Sequence, residues 1–305
     1  MTARCDLCRI DGIPILLDLG VQPPGDRLLE PWELGEAEPR QPVRLGLCPG
    51  CGILQRADPS VEGFGGSGAG AGSLARTLGD LQASLQPRGA AGLDLADVAA
   101  LTPAGFHQAF DPAWAYLPTV GRLRELLQAR DLEAFQVERC PGAPGRLRLL
   151  VGRRGVFPVA ETVVRRILDE EAQSLGTAAF WQHLGQEVTA LRDRLMERIR
   201  RIRAEGERLC GFGASACGSL LLNHCGLGRD GFDALDFVID PDGRSVGRLT
   251  PGSHLALLPM DELDKRFIKH LLVLDPSLAD EARDRTGAWR AGGGRILDPW
   301  NPAAA

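Results

Sequence analysis

The first chemical signal in this 305-residue chain comes from four of its eight cysteines. They form two pairs, Cys5-Asp-Leu-Cys8 and Cys48-Pro-Gly-Cys51, with 39 residues between them. Two intervening residues put both thiolates of a pair on one tight turn, and two such turns complete a tetrahedral Zn2+ site. Gly50 and Gly52 suit a knuckle of this kind. Four thiolates leave no open coordination position, so the expected zinc is structural rather than catalytic. The competing chemistry of a C-x-x-C pair is dithiol redox, but nothing around either pair reads as a thioredoxin-like unit. Cys210, Cys217 and Cys225 follow one another at spacings that fit no compact metal turn and read as core thiols. Cys217 stands apart, because a glycine turn at a helix start can make a thiol reactive.

A second constellation comprises Gly211, Gly213, Gly218 and Asp240. Glycines between a strand and a helix let a phosphate approach the backbone, and the free amides of the helix start attract it. The spacing G-x-G-x-x-x-x-G departs from the strict dinucleotide fingerprint, and a tight strand–helix turn that binds nothing would look the same. Gly63, Gly65 and Gly68, behind Glu62, match G-x-G-x-x-G literally. No apolar strand feeds them, and the stretch 63–73 has the composition of a linker. Among five histidines, His254 is the strongest candidate for a general base, with a turn-bound structural histidine as its rival. His107 is a weaker candidate. His183 and His270 lie in stretches that read as helical, and His224 ends an apolar helix, where packing or capping would occupy it. No Ser-His-Asp or paired-carboxylate arrangement stands out.

The elements that must position these residues follow from periodicity. Residues 208–212 read as a buried strand, 219–224 as an apolar helix and 235–239 as a second strand ending on Asp240. Strands at 254–258, 271–274 and 295–297 alternate with helices at 261–269 and 280–290, which predicts a mostly parallel sheet. Its ligand belongs at the strand carboxyl ends, near Gly211, Gly213 and Asp240. Upstream, 159–207 reads as strongly helical, with Val188, Leu191, Leu195, Ile199 and Ile202 on one stripe. Arginines 192, 194, 198, 200, 201 and 203 fill the opposite face; interleaved acids make this a salt-bridged surface rather than a nucleic-acid stripe. Residues 74–85 form a helix, 93–101 a strand or short helix, and 119–129 a helix. Residues 135–140 and 147–152 read as an antiparallel pair, beside Arg146, Arg148, Arg153 and Arg154. Between the thiol pairs, residues 14–47 predict a small irregular, proline-rich lobe that needs the metal as a staple.

A net charge of −5 is too mild to point to nucleic acid or membrane. No stretch of about 18 uninterrupted apolar residues suggests a membrane span. With no apolar leader near its start and thiols suited to a reducing compartment, the chain is expected in the cytoplasm.

Three separated blocks resemble the nucleotide-deoxysugar (TDP-sugar) C-methyltransferases. CDLCRIDG…LLDLGVQPPGDRLL…LCPGCGILQ is similar to their zinc lobe, and GFGASACGSLLLNHCG…LDFVIDPDGRSVGRLTPGSHLAL…GGGRILDP to their Rossmann-like C-terminal domain. LRELLQARDLEAFQVERCPGAPGRLRLLVG resembles the helix and strand that follow their catalytic segment. The resemblance implies a complete S-adenosylmethionine-binding domain between the outer blocks, opening on a turn of the VEIGSNDG kind. Val61-Glu62-Gly63 echoes that turn, but about fifty residues up to Phe110 leave no room for a doubly wound sheet of roughly a hundred residues or more. The family's YHEHLSYFS segment aligns with residues 110–118, where Pro112 and Ala113 replace its glutamate and histidine; His107 and Asp111 stand nearby. HGGSLR becomes residues 143–148, and the lysine of GAPAKG becomes Cys217.

The expected fold is therefore α/β: a four-cysteine zinc-binding lobe, held by Cys5, Cys8, Cys48 and Cys51, followed by a Rossmann-like, mostly parallel C-terminal domain. Its segments are a zinc lobe (1–60), a Gly-rich linker with a shortened remnant of the methyl-donor domain (61–105), an α/β bridging segment (106–158), and a helical lead-in with the Rossmann-like domain (159–305). The resemblance implies a degenerate homologue that binds a nucleotide-linked deoxysugar, or a partner enzyme of the same pathway, without methyl transfer. The room left argues against S-adenosylmethionine as cofactor. Three enzyme readings stay open: methyl transfer with a reduced donor site at 62–72, isomerisation or epimerisation of a nucleotide-4-keto-sugar with His254 or His107 as base, and an NAD-type dehydrogenase on Gly211, Gly213 and Asp240.

Overall fold

A computed structural model describes residues 4–5, 7–25, 27–57, 74–101, 115–140, 145–231 and 233–299. In chain order these form β1 (Ile15–Gln22), a 3-10 turn at Pro31–Gly35, β2 (Gln41–Leu47) and β3 (Leu54–Arg56). Then come α1 (Leu74–Ser84), β4 (Ala90–Ala96), β5 (Tyr116–Leu117), α2 (Val120–Gln128), β6 (Leu132–Arg139) and β7 (Arg146–Arg153). Two helices follow, α3 (Glu161–Ala172) and α4 (Ala178–Ala204). The remainder is β8 (Leu209–Phe212), α5 (Ala216–Cys225), β9 (Val238–Ile239), β10 (Leu257–Leu258), α6 (Glu262–Lys265), β11 (His270–Val273), α7 (Ala279–Arg285), α8 (Gly287–Ala291) and β12 (Arg295–Leu297).

The chain divides into two compact units. The first takes the described residues of 4–18, 43–101 and 115–186; the second takes those of 19–42 and 187–299. In the first unit, the antiparallel sheet β4-β7-β6 presents Leu93, Leu95, Leu149 and Val151 to Val120, Leu123 and Leu127 of α2 and Val163 of α3. Burial alternates over parts of β4 and β7, the period-2 signature of a sheet with one wet face, while β6 is buried continuously at Leu132–Ala134 before its register shifts. Cys5, Cys48, Cys51 and Ile53 belong to the same core, so the thiol cluster is walled by packed aliphatics.

In the second unit, the five-stranded sheet β10-β9-β8-β11-β12 is parallel at every described pairing. Leu209, Phe212, Val238, Ile239 and Leu271 to Leu274 are fully buried, as strands covered on both faces must be. Successive strands step one way from β8 to β10, then return to β11 on the other side of β8. The topological switch point therefore lies between the carboxyl ends of β8 and β11.

Several elements differ from the sequence expectation. The segment between the thiol pairs is not irregular but carries β1 and β2, in a sheet ordered β1-β2-β3-β5. The expected helix over 159–207 breaks where Ser174 turns left-handed (φ 58°), and Thr177 restarts it by accepting from Phe180 N at 3.3 Å. The helix at 261–269 ends at Lys265, and Phe267 is left-handed (φ 54°). His270 is thereby on strand β11, opposite Leu209 and Arg295, not on a helix. The helix at 280–290 splits at Thr286. His254, expected at the head of a strand, lies in a turn, and only Leu257–Leu258 are extended there.

Candidate functional site

The two thiol turns are built alike. In the first, Cys5 N donates to Ile10 O (2.8 Å) and Arg9 N to Cys5 O (3.0 Å); in the second, Cys48 N donates to Ile53 O (3.0 Å) and Gly52 N to Cys48 O (2.9 Å). The residue after each second cysteine is left-handed, Arg9 at φ 63° and Gly52 at φ 62°. That reversal aims both sulfurs of a pair inward. Cys5 Sγ is 3.5 Å from Cys51 Sγ, Cys8 Sγ is 3.4 Å from Cys48 Sγ, and all four sulfurs lie within 4.8 Å of one another. A tetrahedral Zn–S bond of about 2.3 Å implies sulfur–sulfur edges of roughly 3.8 Å, so the cage has the size of a Zn2+ site. A Cβ at Gly50 would stand 2.2 Å from Ile10 Cδ1 and 3.3 Å from Cys8 Sγ, so a side chain there would displace the exposed Ile10 and crowd the Cys8 sulfur.

The thiols themselves call for a cation. Burial pushes Cys51 far above the ordinary thiol range and raises Cys8. Burial also opposes ionisation of Cys5, but the Cys8 N–H and the side chains of Gln55, Cys51 and Cys48 outweigh it and bring Cys5 down to about 7. Ionising all four sulfurs in one cage requires a positive ion at its centre. The donor set fits zinc, and with four protein ligands the zinc is structural. No other group of three or more His, Cys, Asp or Glu side chains is placed to hold a metal among the described residues. Cys210 and Cys225 are buried core thiols; burial pushes Cys210 well up and Cys225 to about 12, which keeps both protonated and inert.

At the carboxyl end of the parallel sheet, β8 runs into the turn 213–215 and then α5. Ser215 caps the helix, its Oγ accepting from Gly218 N at 3.0 Å. The amides of Ala214, Ser215 and Ala216 have no partner among the described residues. Asp240, next to this turn at the end of β9, accepts from Ser245 N (2.6 Å). The three glycines are fixed by their own chain. A Cβ at Gly211 would stand 2.8 Å from Leu274 Cδ1, one at Gly213 (φ 90°) 2.3 Å from Leu278 Cδ1, and one at Gly218 2.9 Å from Gly213 O. Close packing thus accounts for Gly211 and Gly218 and the positive φ for Gly213, while the amides of 214–216 form the anion-attracting part of the turn. Gly25 borders the turn, since a Cβ there would meet Ala216 O at 2.7 Å.

His254 is bound by Glu38. Its Nε2 bonds Glu38 Oε1, and Glu38 Oε2 accepts from Gly252 N at 2.9 Å. Beneath it, the Thr250 and Ser253 hydroxyls lie 2.6 Å apart, and Asn223 Nδ2 donates to Pro251 O (2.9 Å), joining the turn to α5. The histidine is left-handed (φ 53°), uncommon for a non-glycine residue. Glu38 lies 216 positions away, and no spacing signalled it. His107, Glu62, Gly63, Gly65, Gly68 and the segment 110–114 with Asp111, Pro112 and Ala113 lie outside the described residues.

The arginines divide. Arg148 pairs with Asp94 through two bonds of 2.7 and 2.9 Å, and Arg153 donates to the carbonyls of Gln82 and Leu85. On α4, Arg200 pairs with Asp233, Arg201 with Glu197 and Arg203 with Asp236.

Sequence comparison gives two matches to family models. Residues 142–299 match the C-methyltransferase C-terminal domain, and residues 5–60 match a zinc binding domain. C-methyltransferase NovU of Streptomyces niveus is 23% identical over 195 residues, which is 64% of this chain and 46% of NovU. The chain thus spans about half the length of this curated relative.

Proposed function

Since the chain belongs to the C-methyltransferase family, with half of it matched to that family's C-terminal domain, we propose that it binds a nucleotide-linked deoxysugar at the carboxyl ends of β8 and β9. The binding serves a sugar pathway by presenting the ligand, or by docking with a partner enzyme of the same pathway, without methyl transfer by this chain. The observation that carries the reading is the turn at 214–216. Three amides with no partner among the described residues, at the start of a ten-residue helix beside the switch point of a parallel sheet, suit the diphosphate of a nucleotide sugar. Asp240 adds a carboxylate on the adjacent strand for a hydroxyl. The proposed segments keep their roles: 1–60 as zinc lobe, 61–105 as linker and donor-domain remnant, 106–158 as bridge, and 159–305 as ligand domain.

The absence of methyl transfer is proposed from what stands between the outer segments. Residues 74–101 supply α1 and β4, and β4 pairs antiparallel with β7. A doubly wound donor fold would need parallel strands there, linked by crossover helices. Isothermal titration with thymidine diphosphate and with S-adenosylmethionine tests both parts. Saturable binding of the nucleotide and none of the methyl donor is expected. Tight donor binding would overturn the degenerate reading, and failure of the nucleotide to bind would overturn the ligand.

A second reading rests on Glu38 and His254. A carboxylate that orients an imidazole is the geometry of a general base, suited to removing a proton beside a sugar ketone. Solvent deuterium incorporation into a TDP-4-keto-deoxysugar, lost in His254→Ala, would establish an isomerase or epimerase; the absence of exchange would dispose of it.

A further inference from the structure

Interleaved acids mark the arginine face of α4 as a salt-bridged surface, and Arg200, Arg201 and Arg203 fit that description. Arg194 and Arg198 do not. Neither has an ion-pair partner among the described residues, and nor does Arg295 at the start of β12. All three line one cavity of about 360 Å3, together with Arg201, Glu205 and His270. Arg194, Arg198 and Arg201 sit three and four positions apart, on one side of the helix. Arg295 arrives from the sheet, directly beside His270 in the β11–β12 register.

Two ordinary explanations fall short. A helix C-terminus attracts cations, but the effect fades within the last turn. It covers Arg201 and Arg203 near the end at Ala204, not Arg194 and Arg198. A solvated charged face would leave arginines splayed over a convex surface, whereas these converge on a concavity from two elements. Glu197 is engaged by Arg201 at 3.2 Å. Glu205 in the lining and the adjacent Glu207, which feels the charge of Arg295, are the remaining carboxylates set against Arg194, Arg198 and Arg295, so positive charge stays in excess in a chain of net charge −5.

The floor of the cavity is unusual. His270 is 4% exposed; its Nε2 bonds Glu207, and its Nδ1 has no partner among the described residues. The hydrogen bond from His270 holds the Glu207 carboxyl below its usual range, with further help from the charges of Arg295 and Lys269. The neighbourhood thus already stabilises negative charge. His270 and Arg295 are the first residues of their strands, so the cavity lies at the amino end of the parallel sheet, opposite the turn at 214–216.

We propose that this α4–β11–β12 cavity is an anion site for a small molecule bearing a phosphate or pyrophosphate group, separate from the site at the strand carboxyl ends. Guanidinium forks from two elements match phosphate oxygens in shape and charge. Glu205 at the same cavity offers an acceptor for a hydroxyl of the ligand.

The test is isothermal titration of inorganic pyrophosphate into the full chain at low ionic strength. Saturable one-to-one binding is expected. The double variant R194A/R198A and, separately, Arg295→Gln should each weaken it about tenfold or more, the scale of a lost charge-assisted contact. Arg192→Ala removes the same charge from an exposed position of the same helix outside the cavity and should change affinity less than about twofold, as a screened surface charge does. Circular dichroism checks that each variant is folded. Absence of saturable binding, or equal weakening by Arg192→Ala, would overturn the proposal. Thymidine diphosphate titrated into R194A/R198A separates the two sites: a nucleotide site at the strand carboxyl ends survives there, and its absence counts against that reading alone.

Discussion

Glu170 offers the sharpest energetic test of the first unit. It is 3% exposed, yet it lies on a helix that is otherwise amphipathic. Its carboxylate accepts from Val120 N (3.0 Å) and Gly121 N (3.2 Å), the first amides of α2, and from Arg166 Nε (3.0 Å). Arg166 in turn bonds Asp97. The carboxylate thus serves as a cap supplied from another helix, satisfying amides that α2 cannot satisfy itself. In Glu170→Gln one oxygen becomes an amide group. If the remaining oxygen keeps Val120 and Arg166, the new NH2 faces Gly121 N, donor against donor. One charged hydrogen bond is lost and Arg166 loses half its compensation, for an expected loss of about 2–4 kcal/mol. Glu170→Ala strips all three partners and should remove about 3–5 kcal/mol. For a unit of this size that is a fall in melting temperature of roughly 5–15 °C. Urea unfolding followed by circular dichroism at neutral pH measures it, with Arg166→Met and the double variant completing a cycle. A coupling of about 1–3 kcal/mol is expected between the two. A Glu170→Gln variant within about 1 kcal/mol of the parent protein would refute this cross-helix cap. The consequence reaches the thiol cage, because α2 also sends Arg122 Nε to Cys51 O, and β5 just before it pairs with β3.

Two further outcomes can be checked. Metal analysis of the purified chain should find one zinc per chain, lost in Cys5→Ser/Cys48→Ser with a lower melting temperature; full zinc content in that variant would refute the assignment of the four thiolates. The His224 imidazole is held down to about 4, first by burial and then by the charge of Arg192, and its Nε2 has no partner among the described residues. The unfolded chain takes up that proton near its ordinary value of about 6.5 while the folded chain does not, so stability should fall as pH drops from about 6.5 to 4, by roughly 3 kcal/mol. His224→Leu should flatten this limb relative to the parent protein, and an unchanged difference across that window would count against a buried neutral histidine.

The cysteine pairs were legible because C-x-x-C encodes its own geometry: a turn of four residues needs nothing distant to aim two sulfurs inward. The strand–turn–helix at β8 and α5 was legible because glycines punctuate a short continuous apolar run, although the helix starts at Ala216 rather than 219, where Ser215 caps it. Element ends were less so. Ser174, Phe267 and His254 adopt left-handed backbone that their side chains do not announce, and each cuts a stretch that periodicity alone extends.

By itself, then, the sequence determined the zinc chemistry and the parallel α/β class of the C-terminal segment, which depend on local spacing and hydrophobic period, and its motif blocks carried the resemblance to the family. Only the tertiary structure decided which charges find partners. It joined Glu38 to His254, Glu170 to the start of α2, and His270 to Glu207, while leaving Arg194, Arg198 and Arg295 around one cavity. Those pairings join residues up to 216 positions apart. They are set by how strands and helices stack to bury apolar surface, and only then by where the remaining polar groups come to rest.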